Sequence, residues 1–116
     1  MIMKAEEKSY ELRQFMKGGE GAVAMRTFKP IGGLPTHYCV FGEMHINPGC
    51  SCGNHTHSGE SEIYYILQGE GVLDDNGVEK VVKAGDMEIC YDGAYHGIAN
   101  KSNELLVVLA IVITNA

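Results

Sequence analysis

The sequence predicts an all-β fold, either a sandwich or a small barrel. Two observations support this fold class. Strand-length apolar segments recur at short, regular spacing, and turns rich in glycine and asparagine separate them. Glycine supplies 15 of the 116 residues, about 13% against a usual share of about 7%. Because glycine is the default residue of tight turns, this excess favours many short strands.

The first half of the chain predicts one weak helix and two strands. Residues 1–15 are rich in good helix formers and form the candidate helix, although their apolar side chains make no clear stripe. Residues 21–28 alternate moderately between apolar and polar side chains, and residues 37–47 alternate well. A period of two places alternate side chains on opposite faces of a strand, so both segments are predicted strands.

The second half predicts a series of further strands. Residues 62–68 are β-branched and aromatic, and residues 71–73 continue toward Asn76 and Gly77. Asn-Gly between two apolar runs is a strong hairpin signal, because both residues tolerate positive φ. The return strand and its successors are predicted over residues 78–83, 86–91, 96–100 and 105–114. About eight short strands with almost no helix are typical of a sandwich or small barrel.

Length, composition and charge narrow the function classes. A chain of 116 residues and 12.6 kDa has room for one domain of ordinary size. Its 45% apolar and 21% charged residues indicate a globular core rather than disorder. Nine basic and fifteen acidic side chains give a net charge of −6, which repels phosphate and argues against a nucleic-acid partner.

Compartment signals favour the cytoplasm. Residues 1–16 contain no continuous apolar stretch, so no secretion signal is predicted. The longest apolar run, residues 105–113, has nine residues, whereas a membrane-spanning helix needs about 20. We therefore expect no membrane partner. In a reducing cytoplasm the four cysteines are expected to be free thiols: Cys39, Cys50, Cys52 and Cys90.

Four residues combine into a candidate metal site. If their segment is extended, His55 and His57 point to one face about 6.5–7 Å apart, so both imidazoles can converge on one ion. Glu62 follows a bend at residues 58–59, and His96 opens a distant strand that a barrel can bring alongside. Three imidazoles and a carboxylate suit a divalent transition metal such as Mn, Fe, Ni or Zn rather than Ca²⁺. No catalytic residue is assigned.

The spacing of these residues resembles the two sequence motifs of the cupin superfamily. The first motif matches in order, with five, one, four and six intervening residues, at Gly49, His55, His57, Glu62 and Gly69. The second matches, with five, one, two and three intervening residues, at Gly85, Tyr91, Gly93, His96 and Asn100. Tyr91 replaces the usual proline. The 15 residues between the motifs resemble the short spacer of small single-domain microbial cupins.

This resemblance implies a jelly-roll barrel, the cupin double-stranded β-helix, with about six to eight strands and a short N-terminal segment. It implies a single cupin domain over residues 1–116, with the N-terminal segment at 1–20 and the barrel core at 37–114. It also implies a metal inside the barrel, bound by His55, His57, Glu62 and His96.

Several neighbouring residues compete with this assignment. Glu60 is an alternative carboxylate, but Glu62 alone has the motif interval to Gly69. Cys50 and Cys52 could suggest a thiolate zinc site. Structural zinc pairs are usually separated by two to four residues, so we expect free thiols at the barrel rim instead.

The remaining histidines and one tyrosine have less specific patterns. His37 and His45 are expected to be solvated or strand-lining, with His45 on the same strand face as Glu43. Tyr64, two residues after Glu62, should share its inward face. Aromatic residues inside a barrel pack more often than they react, so Tyr64 is interpreted as packing, with a substrate contact as the alternative.

The last strand predicts an interface. Residues 105–113 are apolar on both faces, and both faces therefore favour burial. One face is expected to line the barrel interior. The other needs cover from the N-terminal segment or a second subunit, and because cupins commonly pair through their sheets, we predict a homodimer.

The leading functional hypothesis is a metal-dependent enzyme acting on a small polar substrate, such as an organic acid or sugar. A divalent ion can polarise an oxygen or stabilise an enolate, and the resemblance implies decarboxylase, dioxygenase, isomerase or lyase chemistry without choosing among them. The alternative is a non-catalytic cupin that binds or senses a small ligand. Such modules are usually fused to a DNA-binding element, for which this chain has neither room nor basic charge.

Overall fold

The computed structural model describes residues 1–115, which form mainly antiparallel β-strands. The strands are β1 (Ser9–Gln14), β2 (Ala22–Thr27), β3 (Tyr38–Ile46), β4 (Ser51–Thr56), β5 (Glu60–Gln68), β6 (Glu70–Asp75), β7 (Val78–Lys83), β8 (Met87–Cys90), β9 (Tyr95–Ala99) and β10 (Leu106–Thr114). Two 3₁₀ turns, Ala5–Glu7 and Met16–Gly18, flank β1. None of the helical segments within residues 1–115 has the length and apolar character that a membrane-crossing helix needs.

The strands form two antiparallel sheets that share one core. The six-stranded sheet has the order β1-β2-β3-β10-β5-β8, and the four-stranded sheet has the order β4-β9-β6-β7. Side chains from both sheets meet in one buried cluster, which includes Val23, Met44, Ile66, Ile98 and Leu106. Strands far apart in sequence, such as β3 and β10, are neighbours. This arrangement confirms the all-β, jelly-roll prediction.

The helix expected over residues 1–15 is wrong, because strand β1 occupies much of this segment. β1 pairs with β2 along its whole length. Tyr10 and Leu12 alternate with Glu11 and Arg13 on the two faces of this strand, which is a period of two rather than 3.6. Helix propensities differ by less than about 1 kcal/mol per residue for most residue types. Hydrogen bonding to the open edge of β2 outweighs them here.

The other predicted strands are present, most with ends shifted by one or two residues. The six-stranded sheet also includes β1 and β2, which precede the predicted core of residues 37–114. The predicted hairpin joins β6 to β7: Asn76 and Gly77 have φ values of 52° and 89°. The Gly77 amide donates to Asp74 Oδ1 at 2.7 Å, which fixes the turn.

Strand β10 lies between β3 and β5, and this central position explains why it is apolar on both faces. Its inward side chains Leu106 and Val108 are fully buried. On the opposite face, Leu109 lies beside Tyr65, and Ile111 lies beside Phe41. Tyr65 is 40% exposed. We name this surface the outer apolar face, comprising Phe41, Tyr65, Met87, Leu109 and Ile111.

Asn100, the last residue of the second motif, fastens the loop that leads into β10. Its side chain is 1% exposed. The amide donates to the Ile46 carbonyl at 2.8 Å and to the Glu104 carbonyl at 2.7 Å. Its Oδ1 accepts hydrogen bonds from the Ser102 amide and hydroxyl. One side chain therefore joins β3, β9 and the loop before β10.

We expect Asn100→Ala to lower the free energy of unfolding by about 2–4 kcal/mol, because it leaves buried carbonyls without donors. Urea denaturation followed by circular dichroism measures this change. Asn103→Ala, at an exposed position of the same loop, is the matched control and should change stability by less than about 0.5 kcal/mol. Equal losses in both variants would contradict this role of Asn100.

Candidate metal centre

Four buried or nearly buried side chains converge between the two sheets. His55 lies on β4 and His96 on β9, both in the four-stranded sheet, and His57 directly follows β4. Glu62 comes from β5 of the other sheet. One donor atom from each residue lies within 4.8 Å of all the others. The structure thus brings together the four residues that the sequence predicted as metal ligands.

Strand pairing delivers the histidines to this point. His55 and His96 are direct partners in the β4–β9 pair, so their side chains share a face. The chain then turns at Gly59, where φ is 77°, and the Gly59 amide donates to Asp92 Oδ1 at 2.8 Å. This is the predicted bend at residues 58–59. After this bend, β5 begins at Glu60 and directs Glu62 back toward the histidines.

Each histidine is oriented by a hydrogen bond at its Nδ1 atom. His55 Nδ1 lies 2.8 Å from the Gly53 carbonyl oxygen, and His57 Nδ1 lies 2.8 Å from Glu60 Oε2. His96 Nδ1 lies 2.7 Å from Glu88 Oε1. Since a carbonyl or carboxylate accepts a proton here, each Nδ1 is the donor and each Nε2 faces the centre. Partners of this kind set the tautomer of metal-binding histidines.

The donor atoms are spaced as ligands of one ion. The Nε2 atoms of His57 and His96 lie 3.0 Å and 2.9 Å from Glu62 Oε1, and 3.2 Å from each other. Metal–nitrogen bonds of about 2.0–2.1 Å separate adjacent ligand atoms by about 3 Å. Three nitrogens and one carboxylate oxygen also match borderline divalent metals. These residues therefore fit a divalent transition metal.

The ionisation of the centre reflects mutual stabilisation of opposite charges. Burial by itself would raise the pKa of Glu62, but hydrogen bonds from His55 and His96 lower it to about 2. Burial would likewise lower the pKa of His55, but interactions with Cys52, Glu62 and the Gly53 carbonyl raise it to about 10. The proton that this raised pKa keeps on His55 occupies the place that a metal ion would take, so metal binding would release it.

Glu88 is a functional residue that sequence reasoning missed. Burial raises the pKa of this carboxyl group, and Asp75 adds to the rise while His96 opposes it. Its second oxygen, Oε2, is buried without a hydrogen-bond partner within the described residues. The sequence signal that could have indicated Glu88 was an acidic residue within the short strand Met-Glu-Ile-Cys, eight residues before the predicted ligand His96.

The competing candidates take other positions. Glu60 does not join the four converging residues. Its Oε2 instead accepts the hydrogen bond from His57 Nδ1. Cys52 is 1% exposed and belongs to the core, so the prediction that both thiols lie at the rim is wrong for Cys52. A register shift between Cys52 and His55 in the β4–β9 pair allows both side chains to face inward, and the small apolar side chain of Cys52 packs between the sheets. All four cysteines are free.

The other aromatic candidates also have defined places. Tyr64 is buried and faces inward as predicted, and its ring stacks on His96 with centroids 4.3 Å apart. It therefore forms part of the wall that fixes this imidazole. His45 instead contacts Glu43 at 2.8 Å, away from the centre, and the His37 carbonyl accepts from the Thr114 amide.

A cavity of about 330 Å³ leads from the centre to the surface. Its lining includes His55 and His57 and apolar side chains such as those of Met44 and Val112. Three cationic side chains from the N-terminal part of the chain also line it: Arg13, Lys17 and Lys29. A small ligand in this cavity would therefore meet both the candidate metal and positive charge.

Comparison with known proteins agrees with this architecture. A family model described as "Cupin domain" matches residues 42–112, which is more than half of the chain and includes all four converging residues. The chain belongs to the cupin family. The predicted resemblance is therefore confirmed.

Two matches from Thermotoga maritima, one a curated protein and one a crystal structure, show the similarity to other cupins. One, named "Oxalate-binding protein", is 40% identical over 113 residues, which cover 97% of this chain and 93% of that protein. A crystal structure described as a "predicted oxalate decarboxylase" is 39% identical with a TM-score of 0.92, covering 98% of this chain and 99% of the other. A sugar phosphate isomerase from Silicibacter pomeroyi has a TM-score of 0.80 at 17% identity, covering 99% and 76%, which shows the cupin fold alone.

In this cupin, combined His55→Ala and His96→Ala substitution should abolish stoichiometric metal binding, because it removes two of the four donors. Elemental analysis of protein purified without chelators or a histidine tag measures the metal content. His45→Ala is the control, since His45 lies outside the converging group. Metal content that persists unchanged in the double variant would overturn the ligand assignment.

Proposed function

We propose that this cupin binds a small carboxylate anion on a divalent transition metal held by His55, His57, Glu62 and His96. The observation that carries this proposal is the convergence of these four donors within 4.8 Å at the inner end of the cavity. The relative named "Oxalate-binding protein", at 40% identity over 97% of this chain, supports an organic acid of the oxalate type.

The geometry supports anion binding at the ion itself. Four protein donors leave an ion that prefers about six ligands with about two free positions, and a carboxylate can fill them with hard oxygen donors. A divalent ion bound by neutral histidines and one carboxylate retains a net positive charge. That charge attracts an anion more strongly in a partly buried cavity than in water.

Turnover of the bound anion is the second candidate function, in line with the enzyme hypothesis. A bound divalent metal would polarise the ligand oxygens and stabilise charge that develops on them. The chain contributes a buried wall of Tyr64 and Val112 beside the centre. This wall reduces the access of water and strengthens electrostatic interactions there. The reaction class would follow from the products.

The metal-loaded protein should bind oxalate with a dissociation constant of about 1 mM or lower, whereas the metal-free protein should bind at least tenfold more weakly. Isothermal titration calorimetry measures both, after Mn²⁺, Fe²⁺, Ni²⁺ and Zn²⁺ are compared for the tightest metal complex. The double variant lacking His55 and His96 serves as the metal-binding control. Equal oxalate affinity with and without metal would contradict the proposal.

The same samples distinguish catalysis from binding alone. Loss of oxalate with formation of formate, carbon dioxide or another product, dependent on His55 and His96, would identify an enzyme. Stable oxalate over many hours, with binding intact, would favour the binding or sensing alternative.

We further propose a homodimer that buries the outer apolar face. The face is built from side chains of four neighbouring strands, β3, β10, β5 and β8, and Met87 within it is 57% exposed. An apolar face of this breadth is unusual on a monomer. Because a two-fold axis pairs a patch with itself, a second copy of this chain is the partner that matches it in shape and polarity.

Tyr65→Glu should convert this dimer to a monomer, because it places a charge within the buried face. Multi-angle light scattering at micromolar concentration measures the mass. Val81→Glu is the matched control: Val81 is 55% exposed but lies on β7 of the other sheet. A monomeric mass for the wild-type protein would contradict the proposal.

We also propose that the protein works in a reducing compartment, the cytoplasm. All four cysteines are free, and Cys39 is exposed, where an oxidising environment would favour its pairing with another thiol.

A further inference from the structure

The cationic part of the cavity is supplied by residues that neither sequence motif contains. Arg13, Lys17 and Lys29 account for three of the nine basic residues of the chain. All three come from the part of the chain that precedes the first motif. They line the same cavity as His55 and Glu62, so a ligand bound at the centre lies within their electrostatic field.

The side chain of Arg13 is directed to the cavity side of its sheet by the register of β1. Arg13 lies opposite Val23, and Glu11 lies opposite Met25. Residues directly opposite in an antiparallel pair share a face, and both Val23 and Met25 are buried in the core. Arg13 and Glu11 therefore extend from the core-side face of β1, and both line the cavity.

Arg13 retains donors for a ligand. Glu11 contacts it through Nε at 3.1 Å and Nη2 at 3.2 Å, which are the two groups on one edge of the guanidinium. Nη1 lies on the other edge, and a guanidinium offers five N–H donors in all. The Arg13 side chain is 43% exposed. An exposed pair of this kind contributes little stability, so a ligand carboxylate can join it or displace Glu11.

Lys17 is held beside the strand that carries His55. The Met16–Gly18 turn packs so closely on β4 that a side chain at Gly53 would collide with the Lys17 carbonyl. Glu20 and Ser51 add two hydrogen bonds, from the Ser51 amide to the Glu20 carbonyl at 2.9 Å and from the Glu20 amide to Ser51 Oγ at 2.8 Å. Lys17 is therefore held against β4, the strand that carries His55.

The charges of the residues that line the cavity, together with a divalent metal, favour a ligand with two negative charges. Three cations line the cavity together with three carboxylates, Glu11, Glu60 and Glu62, so the lining is neutral in a chain whose net charge is −6. A divalent ion held by neutral histidines raises the charge of the cavity by two. A ligand with two negative charges restores neutrality.

The size of the cavity leaves room beyond the metal. At about 30 Å³ per water molecule, a volume of about 330 Å³ holds roughly ten waters, whereas oxalate has six non-hydrogen atoms. The volume therefore does not restrict the ligand to one as small as oxalate.

We propose that Arg13, assisted by Lys17 and Lys29, makes this site specific for dicarboxylates by binding the carboxylate oxygens that the metal does not hold. This inference rests on the proposed function, because it needs a carboxylate at the metal. It assigns recognition to the N-terminal strand, outside the metal-binding motifs.

The test compares ligands that differ by one charge and little in shape. Oxalate is paired with oxamate, and succinate with succinamate, so that an amide replaces one carboxylate in each pair. Calorimetry on the metal-loaded wild type and on Arg13→Gln gives four dissociation constants for each protein. The ratio of affinities within a pair isolates the contribution of the second charge, and the two proteins together form a double-mutant cycle.

We expect the wild type to prefer at least one dicarboxylate over its monoamide by tenfold or more. Arg13→Gln should reduce that ratio about tenfold, in keeping with the loss of a charged hydrogen-bond donor, and Arg13→Lys should restore part of it. Raising NaCl from 0.05 to 0.5 M should weaken dicarboxylate binding more in the wild type than in Arg13→Gln, since rim charges are screened by salt.

The lysine pair supplies an independent variant. Lys17→Gln combined with Lys29→Gln should lower dicarboxylate affinity severalfold. The control is Lys80→Gln combined with Lys101→Gln, which removes the same charge from exposed positions outside the cavity and should leave the affinity within twofold of wild type. Metal content should be unchanged in both variants.

The outcomes separate the two proposals. If no carboxylate binds the metal-loaded protein, the proposed function itself fails. If oxalate binds in a metal-dependent manner but Arg13→Gln leaves the dicarboxylate-to-monoamide ratio unchanged, the function stands and this inference is overturned. Equal losses in the cavity and control lysine variants would also overturn it, because they would reflect net charge alone.

Discussion

The centre depends on three hydrogen bonds made on the side of the histidines that faces away from it. A backbone carbonyl, Glu60 and Glu88 each accept from an Nδ1 atom, and this leaves three Nε2 atoms directed at Glu62. An imidazole without such a partner can rotate or change tautomer, and its lone pair would then miss the shared point. The jelly-roll fold brings the rings together, but these acceptors decide which nitrogen each ring presents.

The same contacts concentrate negative charge in a small buried volume. Glu60, Glu62 and Glu88 all lie within one hydrogen bond of a histidine. Buried carboxylates are costly unless positive charge compensates them, and the raised pKa of His55 provides such charge in the metal-free protein. A divalent ion supplies it more compactly. The fit of the four donors to a divalent metal and the electrostatic balance of the centre therefore both follow from one arrangement.

Much of the fold could be predicted because local chemistry determined it. The Asn76–Gly77 turn requires positive φ at two successive residues, and the spacing of Gly49, Gly69, Gly85 and Gly93 fixed both motifs around the ligands. The two-residue period of β3 and β10 likewise reflects burial on a sheet. Strand β1 was mispredicted because an edge strand with exposed Tyr10 and Leu12 lacks a buried face, so its sequence carries little strand signal. Tertiary pairing with β2 decided its conformation.

For the site, only the four candidate ligands could be predicted from the sequence. Glu88 and the Gly53 carbonyl act through tertiary contacts whose partners lie on other strands or in the backbone, and single-residue patterns do not reveal them. Cys52 was expected at the rim, but a register shift between Cys52 and His55 turns its side chain inward, and a two-residue sequence period does not reveal such an irregularity. Arg13, Lys17 and Lys29 form one group solely because the fold places an N-terminal hairpin over the barrel opening.

The origin of the donors in both sheets has a consequence for how the protein matures. His57 and His96 are 39 residues apart, whereas Glu62 is only five residues from His57. Contacts over the longer separation form late in folding, so the unfinished chain presents a donor set without His96. At the proposed site, selection of a metal would therefore take place in the folded barrel, through the spacing of all four donors rather than through the order in which ions are encountered during synthesis.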